Sequence, residues 1–409
     1  MNDQGKHSCH EAASSFSIRY NDGMARIVVD ARWLKQTGIG RYIENILIEL
    51  VAIKHEHELV LLMREEDVDQ LPKELRHLER QVTNIGWYTP QEQLMLPKLL
   101  SEMKPDLVHF ANFNIPLQYY QPFVVTIHDL TLLRFKNIRG GLLAPFTYTL
   151  KDVVMRHVLK TAVKRSRIIF TPSKFVLDDV VKRYRVPKEK ILVTYNAADI
   201  PMKHGRVNLK KLGITKPFIM HVGNAYPHKN LTRLINALPI INAERKQPVQ
   251  LVIAGKKDEF HAQLEKLVVK QKLTQDVIFT DRVTDAELVG LYSAASLYAL
   301  PSLSEGFGIP GLEAMSYGLP VVSSDATCMP EVFGDAAVYF DGRKDADIAR
   351  AISEVLDDPR KQAELIKHGA ACVKRYSWRK SAEAVLTGYD QALKQKQKSD
   401  PIRRLLGRS

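Results

Sequence analysis

Cysteine is nearly absent from this chain: Cys9, Cys328 and Cys372 are the three in 409 residues, with no CxxC pair and no Cys/His ligand spacing. That composition excludes a disulfide framework and a structural zinc site, and it points to a reduced, cytoplasmic setting. There is no run of about 18 apolar residues, so no segment is expected to span a membrane. Met1–Ser17 is polar and small, without the apolar core of a signal peptide. Residues 1–23 read as a disordered leader. Aromatics do not interleave with basic residues as in a nucleic-acid reader, so no nucleic-acid partner is expected.

What is present is length, apolar content and positive charge. At 409 residues the chain exceeds one core, and 45% apolar content describes an ordered globular protein, so two domains are expected. The net charge of +13 is unevenly spread. Arg134, Lys136, Arg139, Lys151, Arg156, Lys160, Lys164, Arg165 and Arg167 are set against one acid, Asp152. A basic tail, residues 396–409, adds Lys396, Lys398, Arg403, Arg404 and Arg408. Such a surface is either a solvated face or a contact for an anionic membrane surface.

Taken in order, Arg26–Asp30 reads as a buried strand, followed by a loop, Ala31–Gly38, and a helix from Gly40 to about Ile53. This is a phosphate-binding shape, but Gly38 and Gly40 lack the third glycine of the dinucleotide fingerprint. A nicotinamide enzyme is therefore weakly supported, while close backbone approach to a ligand at Gly38–Gly40 is expected. Strands and helices continue to alternate, which argues for a parallel sheet covered on both faces. Asp199–Lys216, with Pro201, Gly205 and Gly213, reads as a linker. The rhythm then restarts at Phe218–Val222.

The richest stretch is Leu300–Glu313, a buried strand running into a loop with Gly306, Gly308 and Gly311. Gly306 and Gly308 are expected to take positive φ and approach a ligand closely. The helix starting near Pro310 offers free N–H groups and a positive dipole end to a diphosphate. Glu305 and Glu313 bracket that anion site and suit hydroxyls, so phosphate and polyol together point to a nucleotide sugar. Asn224 and Lys229 lie beyond the strand Phe218–Val222, where open parallel sheets bind ligands, and Lys229 supplies a point charge. His128 stands at the end of strand Phe123–Ile127. The triplets Asp67–Asp69 and Asp345–Asp347 read as dipole complements at helix starts, so no metal is expected.

These motifs together resemble the retaining glycosyltransferases of family 4, whose GT-B fold sets two Rossmann-like α/β domains face to face. Gly38–Tyr42, Thr126–Leu130, Thr171–Ser173, Pro330–Val332, Gly334–Ala337 and Ser377–Trp378 carry the resemblance as well. It implies an acceptor-side domain over 24–205, a nucleotide-sugar domain over 206–376, and a helix over 377–395 returning to the first domain. It also implies that Glu305 faces the donor sugar and the reacting centre. Backbone N–H groups of Gly306, Phe307 and Gly308, with neighbouring Ile309, hold the diphosphate, and Glu313 accepts from the ribose. Lys229 neutralises the leaving group, helped by Gly38–Gly40, His128 contacts the sugar or acceptor, and Arg282 and Val283 lie near the base. Many members carry arginine where this chain has Asn224, so Arg41 or Arg282 is a candidate substitute.

The implied activity is metal-independent transfer of a hexose, without a cofactor, to a glycan or lipid-linked acceptor in cell-surface polysaccharide assembly. The variants present resemble bacterial surface-polysaccharide mannosyltransferases, which makes GDP-mannose the first donor expected and UDP-sugars the second. The rivals are a nucleotide-sugar epimerase, a phosphorylase, and a catalytically dead basic adaptor at a membrane surface.

Overall fold

The computed structural model describes residues 24–135, 144–198, 205–243 and 245–395. The leader over 1–23, the tail over 396–409, and part of the basic run and of the linker fall outside them. The first half runs β1 (Arg26–Asp30), α1 (Thr37–Ala52), β2 (Glu58–Arg64), β3 (Glu79–Thr83), α2 (Pro90–Glu102), β4 (Leu107–Phe110) and β5 (Phe123–Thr126). It continues with α3 (Ala144–Arg165), β6 (Ile169–Thr171), α4 (Lys174–Tyr184) and β7 (Ile191–Val193). The second half runs β8 (Phe218–Val222), α5 (Leu231–Asn242), β9 (Gln250–Ala254), α6 (Glu259–Lys270), β10 (Val277–Asp281), α7 (Asp285–Ala294) and β11 (Leu297–Leu300). It ends with α8 (Ile309–Ser316), β12 (Val321–Ser324), α9 (Met329–Phe333), β13 (Ala337–Phe340), α10 (Asp345–Asp357), α11 (Pro359–Val373) and α12 (Trp378–Lys394).

Each half builds its own parallel sheet, ordered β3-β2-β1-β4-β5-β6-β7 and β10-β9-β8-β11-β12-β13. Both are Rossmann-like, with the strand order reversing beside β1 and beside β8, and ligand crevices open at such reversals. Successive residues of β1 serve opposite cores: Ile27 and Val29 pack on one face, Val28 on the other. That two-sided burial explains the unbroken apolar runs of the central strands. Two edge strands, β3 and β13, escape the sequence pattern. ERQVT in β3 is polar because one face is open and a single neighbour pairs with it. α3 is also invisible to periodicity, because its basic residues are spread around the helix.

α1 begins at Thr37, earlier than expected, so Gly38 and Gly40 lie in its first turn rather than in a loop. A Cβ on Gly40 would stand 2.2 Å from the Leu34 carbonyl oxygen, so the close approach there is to the chain itself. Gly38 has open space around it. At the other end of the chain, α12 packs against α1, β4, β5 and β7 of the first sheet. Tyr389 is buried in that contact, its hydroxyl 2.7 Å from His109 Nδ1, and His109 Nε2 is 2.8 Å from Thr126 Oγ1. Arg167 donates to the Ala392 carbonyl at 2.6 Å.

Candidate functional site

β11 is wholly buried and delivers Pro301–Gly308 to the carboxyl edge of the second sheet. Gly308, at φ 86°, caps α8, and Pro310 occupies its first turn, where no N–H partner is lost. Gly306 departs from expectation. It does not take positive φ, and its missing Cβ makes room for the His128 carbonyl oxygen, 1.9 Å from where that carbon would be. On its Cβ side the glycine admits the opposite domain.

Lys229 ends a one-turn helix after β8, and its Nζ is 2.7 Å from Glu305 Oε1. Asn230, left-handed at φ 59°, ties this turn down through Nδ2 to the carbonyls of Pro301 (3.1 Å) and Gly342 (2.7 Å). Leu303 N donates to the His228 carbonyl at 2.7 Å, so the loops after β8 and β11 form one unit. Burial alone would raise the Glu305 carboxyl, but the Lys229 charge and hydrogen bond, with His228 beside them, hold it below the ordinary carboxylate range. Nearby, His221 Nε2 and Asn224 Oδ1 are enclosed and without a partner. His221 Nδ1 is spent on the Ala299 carbonyl at 2.9 Å. Orphaned buried polar atoms beside a glycine loop and an ion pair are what a polar ligand would satisfy.

Glu313 is buried within α8, and its carboxylate meets Arg41, which reaches across from α1, and the Tyr292 hydroxyl at 3.3 Å. Of the two arginines considered beside Asn224, Arg41 therefore sits within the crevice on Glu313. Arg282 is exposed on the loop after β10, and Val283 is half-buried against the core.

From the first domain, His128 donates from Nε2 to the Ala111 carbonyl at 2.9 Å, since the carbonyl can only accept, which fixes Nε2 as the protonated nitrogen. Burial lowers the His128 pKa, so the ring is neutral and Nδ1 keeps its lone pair. Its ring meets Tyr42 edge-on, with centroids 4.9 Å apart. Further contacts hold the domains together. Thr131 Oγ1 and Ser304 Oγ are 2.8 Å apart, and Ser173 Oγ donates to the Gly306 carbonyl at 2.8 Å. Glu331 accepts from Lys174 N and Phe175 N, both at 2.8 Å, and so caps the N-terminus of α4 from the opposite domain. Sequence reasoning passed over these residues individually. The signals were a serine before α4 and a glutamate after a proline, neither of which names its partner.

Two family profiles match the chain: "Glycosyltransferase Family 4" over residues 36–200 and "Glycosyl transferases group 1" over residues 207–397. The O-antigen chain mannosyltransferase B of Escherichia coli is 26% identical over 375 residues, covering 86% of this chain and 96% of that one. The O-antigen chain mannosyltransferase RfbU of Salmonella typhimurium is 31% identical over 62% of this chain and 65% of its own length. Among solved structures, sucrose-phosphate synthase from Thermosynechococcus elongatus superposes with a TM-score of 0.71 at 18% identity, covering 90% of this chain and 98% of that one. That last likeness concerns the fold alone.

Proposed function

We propose that this chain, which belongs to the family 4 glycosyltransferases and has their GT-B fold, transfers mannose from GDP-mannose to the glycan of a growing cell-surface polysaccharide. The observation that carries the reading is the Lys229–Glu305 pair beside the start of α8, facing His128 across the crevice. The relatives' names supply the sugar, since both are O-antigen mannosyltransferases.

In this reading the donor diphosphate lies on the α8 N-terminus, against the N–H groups of Gly306, Phe307, Gly308 and Ile309. Lys229 swings from Glu305 to a phosphate oxygen, and Arg41 and Asn224 complete the shell near Gly38. Glu305, released from Lys229, accepts from the sugar hydroxyls, and Glu313 does the same for the ribose, with Arg282 and Val283 beside the base. The bond from the anomeric carbon to the phosphate oxygen breaks with its electron pair going to the diphosphate. The acceptor hydroxyl attacks from the same face, which retains configuration, and its proton passes to the departing phosphate oxygen. His128 Nδ1 accepts a hydrogen bond on the sugar side. Once Lys229 has moved to the phosphate, it and the helix dipole stabilise the developing dianion electrostatically, so neither metal nor cofactor is needed.

The first domain also suits the inner membrane face. Leu94 and Met95 on α2 and Val153 and Val154 on α3 are exposed apolar residues, and Lys151, Lys160 and Lys164 are exposed on α3. Apolar residues flanked by lysines suit an anionic lipid surface, where a lipid-linked acceptor would be presented. Among the described residues no helix is long and apolar enough to cross a membrane.

Incubation with labelled GDP-mannose and a mannose-terminated acceptor should give product, and UDP-glucose should not replace it. Turnover with UDP-sugars alone would move the donor assignment, and no turnover with any nucleotide sugar would refute the reading. Sedimentation with phosphatidylglycerol vesicles tests the membrane contact, which Lys160→Glu with Lys164→Glu should weaken.

A further inference from the structure

The carboxyl ends of β3, β2, β1 and β4 carry a cluster that donor chemistry does not use. Trp33 follows β1, Trp87 and Tyr88 follow β3, and Phe113 follows β4. Trp33 and Trp87 stack with centroids 4.5 Å apart, Tyr88 meets Trp33 edge-on at 5.7 Å, and Phe113 lies 6.3 Å from Tyr88. Arg64, at the end of β2, lies 4.7 Å over Trp87 and pairs with Glu66 at 2.9 Å, so its charge is already engaged. The indole Nε1 of Trp33 and that of Trp87 are both enclosed and without an acceptor. Tyr88 is 55% exposed and holds φ 57°, a conformation that a bulky residue adopts only when its surroundings impose it.

Those surroundings are a buried ionic network. Arg32 bonds Asp30 and Glu92 at 2.8 and 2.7 Å, and Asn114 bonds Glu92 at 2.7 Å. Glu92 also accepts the Tyr88 backbone N–H at 2.9 Å. Arg32 is the neighbour of Trp33, so a single network fixes all three loops. The cluster adjoins the reacting centre, because His128 bonds the Ala111 carbonyl two residues before Phe113. The Tyr88 hydroxyl lies against Asn112 and near Asp129.

We infer that Trp33, Trp87 and Tyr88 form a platform for the terminal saccharide ring of the acceptor. The apolar C–H face of a pyranose packs on the exposed Tyr88 ring and the half-buried rim of the Trp33–Trp87 stack, and an edge hydroxyl that reaches the enclosed indole N–H groups gives them the acceptor they lack. A neutral polyol fits because both arginines of the cluster are paired with carboxylates, Arg64 with Glu66 and Arg32 with Asp30 and Glu92. The inference rests on the transferase reading and assigns its acceptor side, in particular the sugar ring rather than the lipid.

The test is kinetic and spectroscopic. Trp33→Ala and Trp87→Ala should each raise the acceptor KM at least tenfold while the donor KM stays within twofold, and Trp33→Phe should recover most of the loss. In Trp378→Phe protein only the two platform tryptophans emit, because the chain has three. Titration with α-linked mannotriose should then change their fluorescence saturably. An acceptor KM unchanged in both alanine variants, or a donor KM that rises in parallel, overturns the inference. So does a fluorescence response to phosphatidylglycerol vesicles but not to mannotriose. If the unaltered protein turns over no nucleotide sugar, the transferase reading falls, and the titration still decides this one.

Discussion

The two sides of the crevice use charge in opposite ways. On the second domain, Lys229 and Glu305 are mostly buried but reachable, with side-chain exposures of 16% and 14%. On the first, Arg32 and Glu92 have none. A reachable pair can be broken by a ligand that offers each partner something better: phosphate for the lysine, hydroxyls for the glutamate. A fully buried network cannot be exchanged in this way, since removing one partner strands an uncompensated charge. It serves to hold Trp33 and Tyr88 where they are. Accessible charge discriminates a charged donor, and inaccessible charge shapes a neutral surface for the acceptor.

The sharpest way to break this contrast is to remove the accessible pair. Glu305→Gln or Lys229→Met should reduce transfer on the order of 10²–10³-fold, the usual effect of deleting one preorganised electrostatic group. Steady-state kinetics would check it, and a loss below tenfold would mean that the pair is structural. The pH profile sharpens the same point. The folded pKa of Glu305 is lowered, so its contribution to stability is present above the unfolded carboxyl value and is lost as pH falls through the folded one. Transfer should therefore stay level from neutrality down through the ordinary carboxylate range, with its acid limb below that range. In Lys229→Met the main opposition to burial is gone, and the acid limb should move to higher pH.

A smaller effect is expected at the interdomain clasp. Glu331→Ala removes the interdomain part of the α4 capping and leaves the Ser173 cap in place, a loss of about 0.5–2 kcal/mol, so transfer should fall by about 2- to 30-fold. Small-angle scattering should show a larger radius of gyration, while donor affinity at the second-domain site of the whole chain changes little. Unchanged scattering and unchanged transfer would show that closure does not depend on Glu331.

What the chain disclosed in advance was local. The strand-loop-helix at Leu300–Glu313 is legible because burial, glycine freedom and a proline start all act within a few residues. The positions of Lys229 and His128 were legible for the same reason, each lying on the loop that follows an apolar strand. Pairings between distant segments were not. Nothing in the sequence joins Arg41 to Glu313 or Glu331 to α4, because those contacts depend on how two domains face each other. Gly306 shows the limit well: a glycine in a loop signals close approach, but not whether the approaching group is a ligand or the His128 carbonyl. Likewise Trp33 and Trp87 belong to loops separated by β2 and β3, and only the strand order stacks them.

The smallest effect belongs to the helix that closes the chain onto the first domain. Tyr389→Phe deletes the hydroxyl that meets His109 Nδ1, leaving a buried nitrogen without its partner. Burial, with His128 nearby, holds His109 down to about 3, so the ring is neutral and the loss is a hydrogen bond rather than a stranded charge. The cost should be about 1–3 kcal/mol of stability, read as a lower Tm. Both KM values and kcat should stay within twofold, because Tyr389 stands behind the sheet, away from the ligand. A fall in kcat with unchanged Tm would instead mean that His109 acts on His128 through the strand ends. The acceptor side would then use titratable groups, as the donor side does, and the contrast between the two domains would not hold.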